Sequence, residues 1–207
     1  MRHVFIALSS AASLCLTATL IVAAESSVKP ALPLAQAKVA AICQGCHGPT
    51  GDSVSPIYPR LNGQQADYIV SQLKGFHSHR RDDTRARGYM WGIARELDDK
   101  TTAELGRYFA SQKPTQPQTG GALASEGERI FMNGDPAKTI AACQQCHGKF
   151  GEGSGSFPRI AGQHAAYFRM VMGAFRSDLR ANQTMHAVAK NMSDRQIEAL
   201  SSYLSND

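Results

Sequence analysis

Beyond its first two dozen residues, this chain has no long continuous apolar stretch; its hydrophobic positions instead recur at three- and four-residue spacing. That periodicity predicts helices over Leu34 to Cys46, Gln65 to His77 and Thr101 to Ser111. Further helices are expected over Ser125 to Phe131, His164 to Phe175 and Ser193 to Leu204. The polar run Asp98-Asp99-Lys100-Thr101 opens the third, which carries Leu105, Tyr108 and Phe109 on one face. Ser193 and Gln196 have the spacing of a capping box at the start of the last. Alternating strand patterns are poor, so the expected fold is all-α.

The six helical segments form two sets of three because the sequence repeats. Tyr58-Pro59-Arg60-Leu61-Asn62-Gly63-Gln64 returns as Phe157-Pro158-Arg159-Ile160-Ala161-Gly162-Gln163 at an offset of 99. Met90 and Tyr108 match Met185 and Tyr203 at an offset of 95, so the second copy is shorter between its middle and closing helices. A tandem duplication accounts for these matches. The Pro/Gly-rich segment 113–121 reads as a linker between a first domain over 25–112 and a second over 122–207.

Residues 1–24 have the layout of a secretory signal peptide: Arg2, an apolar run from Val4 to Ala24, and small residues before Glu25. The competing reading is an uncleaved membrane anchor, for which the run is long enough. Removal would take Cys15 with it and leave four cysteines, 183 residues and a charge of +4. The expected location is the periplasm, with peripheral membrane association left open.

Those four cysteines carry the chemistry. Cys43-Gln44-Gly45-Cys46-His47 and Cys143-Gln144-Gln145-Cys146-His147 stand 100 residues apart. Two thiols fixing one edge of a macrocycle, followed directly by an imidazole for its iron, are the signature of c-type haem attachment. Two covalently bound haem c groups follow. A redox dithiol, a structural pair or one four-cysteine zinc site competes, but none requires a histidine after each second cysteine. Four haem propionates would bring the net charge near zero, so the basic balance does not argue for nucleic acid, and no nucleic-acid motif is present.

A haem iron that only exchanges electrons needs a second protein ligand. Met90 and Met185, equivalent in the repeat, are the candidates, since thioether sulfur favours ferrous iron; core filling is their bland alternative. Met132, Met170, Met172 and Met192 lack counterparts and read as packing. His77, His79, His164 and His186 form no pair across the repeat, and His186 is the competitor to Met185. The carbonyls of Pro59 and Pro158 are placed to accept from the other nitrogen of each proximal histidine. Arg60 and Arg159 are assigned to propionates, with solvated arginine as the alternative. The stretch from Arg80 to Met90 holds four arginines against Asp82 and Asp83; it reads either as steering toward an acidic redox partner or as a solvated, internally paired loop.

With these motifs the chain resembles the cytochrome c4 family of dihaem class I c-type cytochromes. The likeness extends through YPRLNGQQADYIVSQLKGF, FPRIAGQHAAYFRMVMGAFR and DRQIEALSSYL. The resemblance implies two tandem class I cytochrome c domains, each built around one haem, with His47 and His147 proximal and Met90 and Met185 distal. It implies haems facing each other across the joint, and a non-catalytic electron carrier between a redox protein donor and an acceptor such as a membrane terminal oxidase. A subunit of a periplasmic dehydrogenase complex is the alternative; a dihaem peroxidase, which needs an open iron, fits less well. The longer basic segment before Met90, and Trp91 after it, depart from the family pattern.

Overall fold

The computed structural model describes residues 33–206, so the signal peptide expected over 1–24 lies outside the described residues. Among the described residues every regular element is helical, and strand-type pairing is limited to four isolated bridges.

In the first half, α1 (Leu34–Lys38) passes through a π-helical turn at Val39–Cys43 into α2 (Gln44–His47). Gly48, at φ 76°, stops this helix immediately after the histidine, a backbone conformation that glycine adopts without steric cost. Next come α3 (Ala66–His77), a π-helical turn at Ala86–Met90, α4 (Trp91–Arg95) and α5 (Asp99–Ala110). Asp98 caps α5 by accepting from the Thr101 amide at 2.6 Å. Leu105 and Phe109 of α5 pack with Ile69, Ala35 and Val39 to form the core.

The second half contains α6 (Ala124–Asn133), α7 (Gln144–His147), α8 (Ala165–Arg176), α9 (Gln183–Ala189) and α10 (Asp194–Leu204). Ser193 and Gln196 form the capping box of α10. Its larger core joins Ile130, Phe131, Met172, Phe175, Met192, Leu200 and Leu204. Here the opening helix is not continuous: Gly134, at φ 69°, ends α6, and a 3-10 turn at Pro136–Lys138 precedes α7.

The helices α6 and α10 cross where Gly127 meets the backbone of Ala199, and a β-carbon on Gly127 would stand 2.0 Å from the Ala199 carbonyl oxygen. Gly127→Ala must therefore push the helices apart. We expect it to cost about 2–3 kcal/mol, measured as a lowered thermal midpoint of the haem-loaded protein.

Helices α4 and α9, which follow or contain the two methionines, were absent from the sequence expectation. Both methionine segments start at a side-chain cap: Asp83 Oδ1 accepts from the Ala86 amide at 3.0 Å, and Asn182 Oδ1 from the Met185 amide at 2.9 Å. These caps are 99 residues apart and the methionines 95. The four extra residues of the first copy thus lie between cap and methionine, where they add one turn of helix and the π-helical widening.

Candidate functional site

Each Cys-x-x-Cys-His motif occupies the last turn of a short helix, which projects two thiols and one imidazole from a single turn. Cys43, Cys46, Cys143 and Cys146 form no disulfides, so all four sulfurs are available for thioether bonds. Before haem attachment, burial pushes the Cys43 thiol upward and that of Cys143 up to about 11. His47 and His147 are buried, each 8 % exposed. Their Nδ1 atoms lie 2.8 Å from the Pro59 carbonyl oxygen and 2.9 Å from that of Pro158. Burial lowers the basicity of both rings, and the proline carbonyls oppose that effect. With Nδ1–H donated, Nε2 is the lone-pair nitrogen of a neutral imidazole, the form that binds iron.

Met90 ends the π-helical turn Ala86–Met90 and is half-buried against the cluster of Phe76, Ala86 and Ala94. Met185 lies in α9, half-buried against the second core. Met172 and Met192 are core residues, 4 % and 5 % exposed. His186 directs Nδ1 at the Phe175 carbonyl at 2.8 Å, and His77 directs Nδ1 at the Ala94 carbonyl at 3.3 Å. His79 stacks on Trp91 at 3.8 Å, and buried His164 places Nε2 2.8 Å from the Ser53 carbonyl in the other half.

Large apolar side chains flank both motifs and stay exposed: Ile42, Val54 and Ile57 in the first half, Phe150 and Phe157 in the second. Together with a thiol pair and an oriented imidazole, they fit a flat, mostly apolar macrocycle. Among the described residues no three His, Cys, Asp or Glu side chains converge on one point, so the four-cysteine zinc site is not built.

Arg60 and Arg159, assigned from the sequence to propionates, are found in the joint between the halves. Arg60 Nη1 donates to the carbonyls of Gly162 and Asn206 at 2.9 and 2.8 Å, and its Nε is 3.2 Å from Asp52. Arg159 Nη2 donates to the Thr115 carbonyl at 3.0 Å. The linker is tied down rather than loose: Asn62 holds the Lys113 carbonyl, the Gln118 amide reaches Ser205, and Asn206 reaches Gln116. Gly63 and Gly162, at φ 67° and 75°, let the chain pass so closely that a β-carbon would come within 2.5 Å of Pro114 or 2.0 Å of the Thr115 oxygen.

The arginines of the basic segment all have partners within the chain, though only Arg81 is buried. Arg81 is buried in an ion pair with Asp83 at 3.1 Å and shares Gln72 with Arg180 of the second half. Arg87 pairs with Asp82 at 3.4 Å, Arg85 donates to the Ile57 carbonyl, and Arg80 to the Ser78 hydroxyl. The internally paired reading therefore describes this segment better than a free cationic patch.

Sequence and structure comparisons agree with this geometry. The cytochrome c family model matches residues 124–206. The chain is 40 % identical to cytochrome c4 of Thiocapsa roseopersicina over 179 residues, covering 82 % of this chain and 88 % of that one. The chain belongs to the cytochrome c4 family. A solved cytochrome c4 from Acidithiobacillus ferrooxidans superposes with a TM-score of 0.74 at 41 % identity, covering 79 % of this chain and 97 % of that one. The thiosulfate dehydrogenase electron acceptor of Thiomonas intermedia is 36 % identical over 173 residues, 80 % and 78 % of the two chains.

As a cytochrome c4-family protein, the chain carries two covalent c-type haems and is a periplasmic electron carrier rather than an enzyme. Among the described residues no helix is long and apolar enough to cross a membrane. The residues missed by sequence reasoning are those of the joint. Gln64 and Gln163 were visible as part of the repeated Gly-Gln pair, but nothing local in the sequence marks their side chains as bridging two domains.

Proposed function

We propose that Cys43 and Cys46 hold one haem c and Cys143 and Cys146 the other. His47 and Met90 are the axial ligands of the first iron, and His147 and Met185 those of the second. The bound haems supply reversible one-electron exchange, and the chain supplies ligation, shielding and a fixed distance between them. The first domain spans 25–112 and the second 122–207, joined by 113–121. In this reading electrons enter by one domain and leave by the other, from a redox protein donor toward a membrane terminal oxidase. A dehydrogenase is the favoured class of donor, because two relatives are named as electron acceptors of thiosulfate dehydrogenase.

The observation that carries the two-domain path is the direct bonding of the two proximal-histidine loops. Arg60, next to Pro59, is held by Gln163; Arg159, next to Pro158, is held by Gln64. Rapid mixing with a one-electron donor tests it. Redistribution between the two haems is expected at a rate independent of protein concentration. Redistribution that occurs only by second-order collisions would reject an internal path.

A further inference from the structure

The joint contains a reciprocal pair of amide clamps. Gln163 Oε1 accepts from the Arg60 amide at 2.9 Å while its Nε2 donates to the Arg60 carbonyl at 3.0 Å. Gln64 does the same to Arg159, at 2.8 and 2.9 Å. Each glutamine thus grips one residue of the opposite domain by both its backbone groups. Each Oε1 also accepts from the amide that follows it, His164 or Gln65, at 3.0 Å, which fixes the side chain from its own domain.

The gripped N–H belongs to a particular peptide unit. The Pro59–Arg60 peptide presents its carbonyl to His47 Nδ1 and its N–H to Gln163. The Pro158–Arg159 peptide presents its carbonyl to His147 Nδ1 and its N–H to Gln64. Within one amide the two ends are conjugated: donation by N–H moves electron density onto the carbonyl oxygen and makes it a better acceptor. The polarised carbonyl then draws harder on the Nδ1 proton, raises the basicity of Nε2 and stabilises ferric over ferrous iron. The clamps line a small pocket of about 10 Å³, with Gln64 buried and Gln163, Arg60 and Arg159 half-buried, so these bonds act with restricted access to water.

We infer that Gln163 and Gln64 are positioning residues that tune the iron of the domain opposite their own, each through the peptide that orients the other domain's proximal histidine. The inference rests on His47 and His147 being the axial ligands. It makes the potential of each haem depend on closure of the joint, which a carrier of two separately folded domains would not show.

The test uses the full two-haem protein, with haem-resolved titration followed by NMR and the His Nδ1–H resonances of the reduced state. Gln163→Leu is expected to move the His47 Nδ1–H upfield and shift the first haem toward ferrous by about threefold at a fixed poise. The second haem should hold its value. Gln64→Leu should give the mirror result, with His147 and the second haem responding. Gln163→Glu keeps an oxygen for the Arg60 amide, so it should return the His47 resonance toward its parental position; it carries the test if the leucine variants fold poorly. A response in the haem of the mutated domain, an equal response in both, or none in either overturns the inference, as does a glutamate variant that behaves like leucine. Hyperfine-shifted His47 and His147 ring resonances in the oxidised parent separate the two levels. If they are missing, the axial reading falls and takes the inference with it; if they are present without a cross-domain response, the inference alone fails.

Discussion

Cys143→Ser combined with Cys146→Ser is expected to give a chain with one haem mass instead of two and a second domain that no longer folds cooperatively. Domains below about 100 residues bury limited apolar surface, and the bound macrocycle would supply further apolar core area to this one. His147 would remain as a lone ligand without the thioether tether. Loss of that domain also removes Gln163 and the Gly162 and Asn206 carbonyls from Arg60, so the effect should extend to the joint. Mass spectrometry of the denatured chain counts the haems, and far-ultraviolet circular dichroism should lose close to the share of helix from α6 to α10. Two haem masses on this variant would place the second attachment at other residues.

Replacing either methionine should change the electronic state of one iron and leave its attachment intact. Met185→Ala is expected to remove about half of the oxidised sulfur-to-iron charge-transfer absorption. The potential of one haem should fall by a substantial part of the ~0.8 V range that axial ligation spans, because neutral thioether sulfur favours ferrous iron. Met90→Ala should do the same to the other haem. Spectroelectrochemical titration resolves both changes in one experiment, and two haem masses must persist. If Met185→Ala leaves the spectrum unchanged, His186 becomes the residue to substitute next. Its Nδ1 already engages the Phe175 carbonyl, so only Nε2 is available to it as a ligand atom.

The first methionine sits in a less regular setting than the second. Four additional residues separate it from its cap, and they pass through a π-helical turn that contains Tyr89, 53 % exposed, and Gly88. In the second domain Asn182 caps the helix at Met185 itself. With the ligands proposed above, the two methionines would have different local supports, a basis for two distinct potentials in one chain.

Much of this protein was legible in its sequence because the relevant information is local. A haem motif is five adjacent residues, a capping box spans four, and helical periodicity repeats within two turns; none depends on where the rest of the chain goes. The closing helix from Ser193, the all-helical class and the repeat follow from such spacings, while the family follows from the likeness of longer motif stretches to known proteins. The helices at the methionines were not legible, since their apolar positions are few and their starts depend on Asp83 and Asn182 acting as caps. Long-range pairing was decided by the tertiary structure alone. Arg60 and Arg159 are as suitable for a carboxylate as for a backbone carbonyl, and only the approach of the second domain delivers Gly162, Asn206 and Thr115 as their partners. Arg81 reads as one charge in a basic run, yet the fold buries it beside Asp83 and Gln72. Gln64 and Gln163 look like ordinary turn residues after glycine. Their two-sided grip on the opposite domain exists because the duplicated halves meet with their proximal loops face to face, a placement no local spacing encodes.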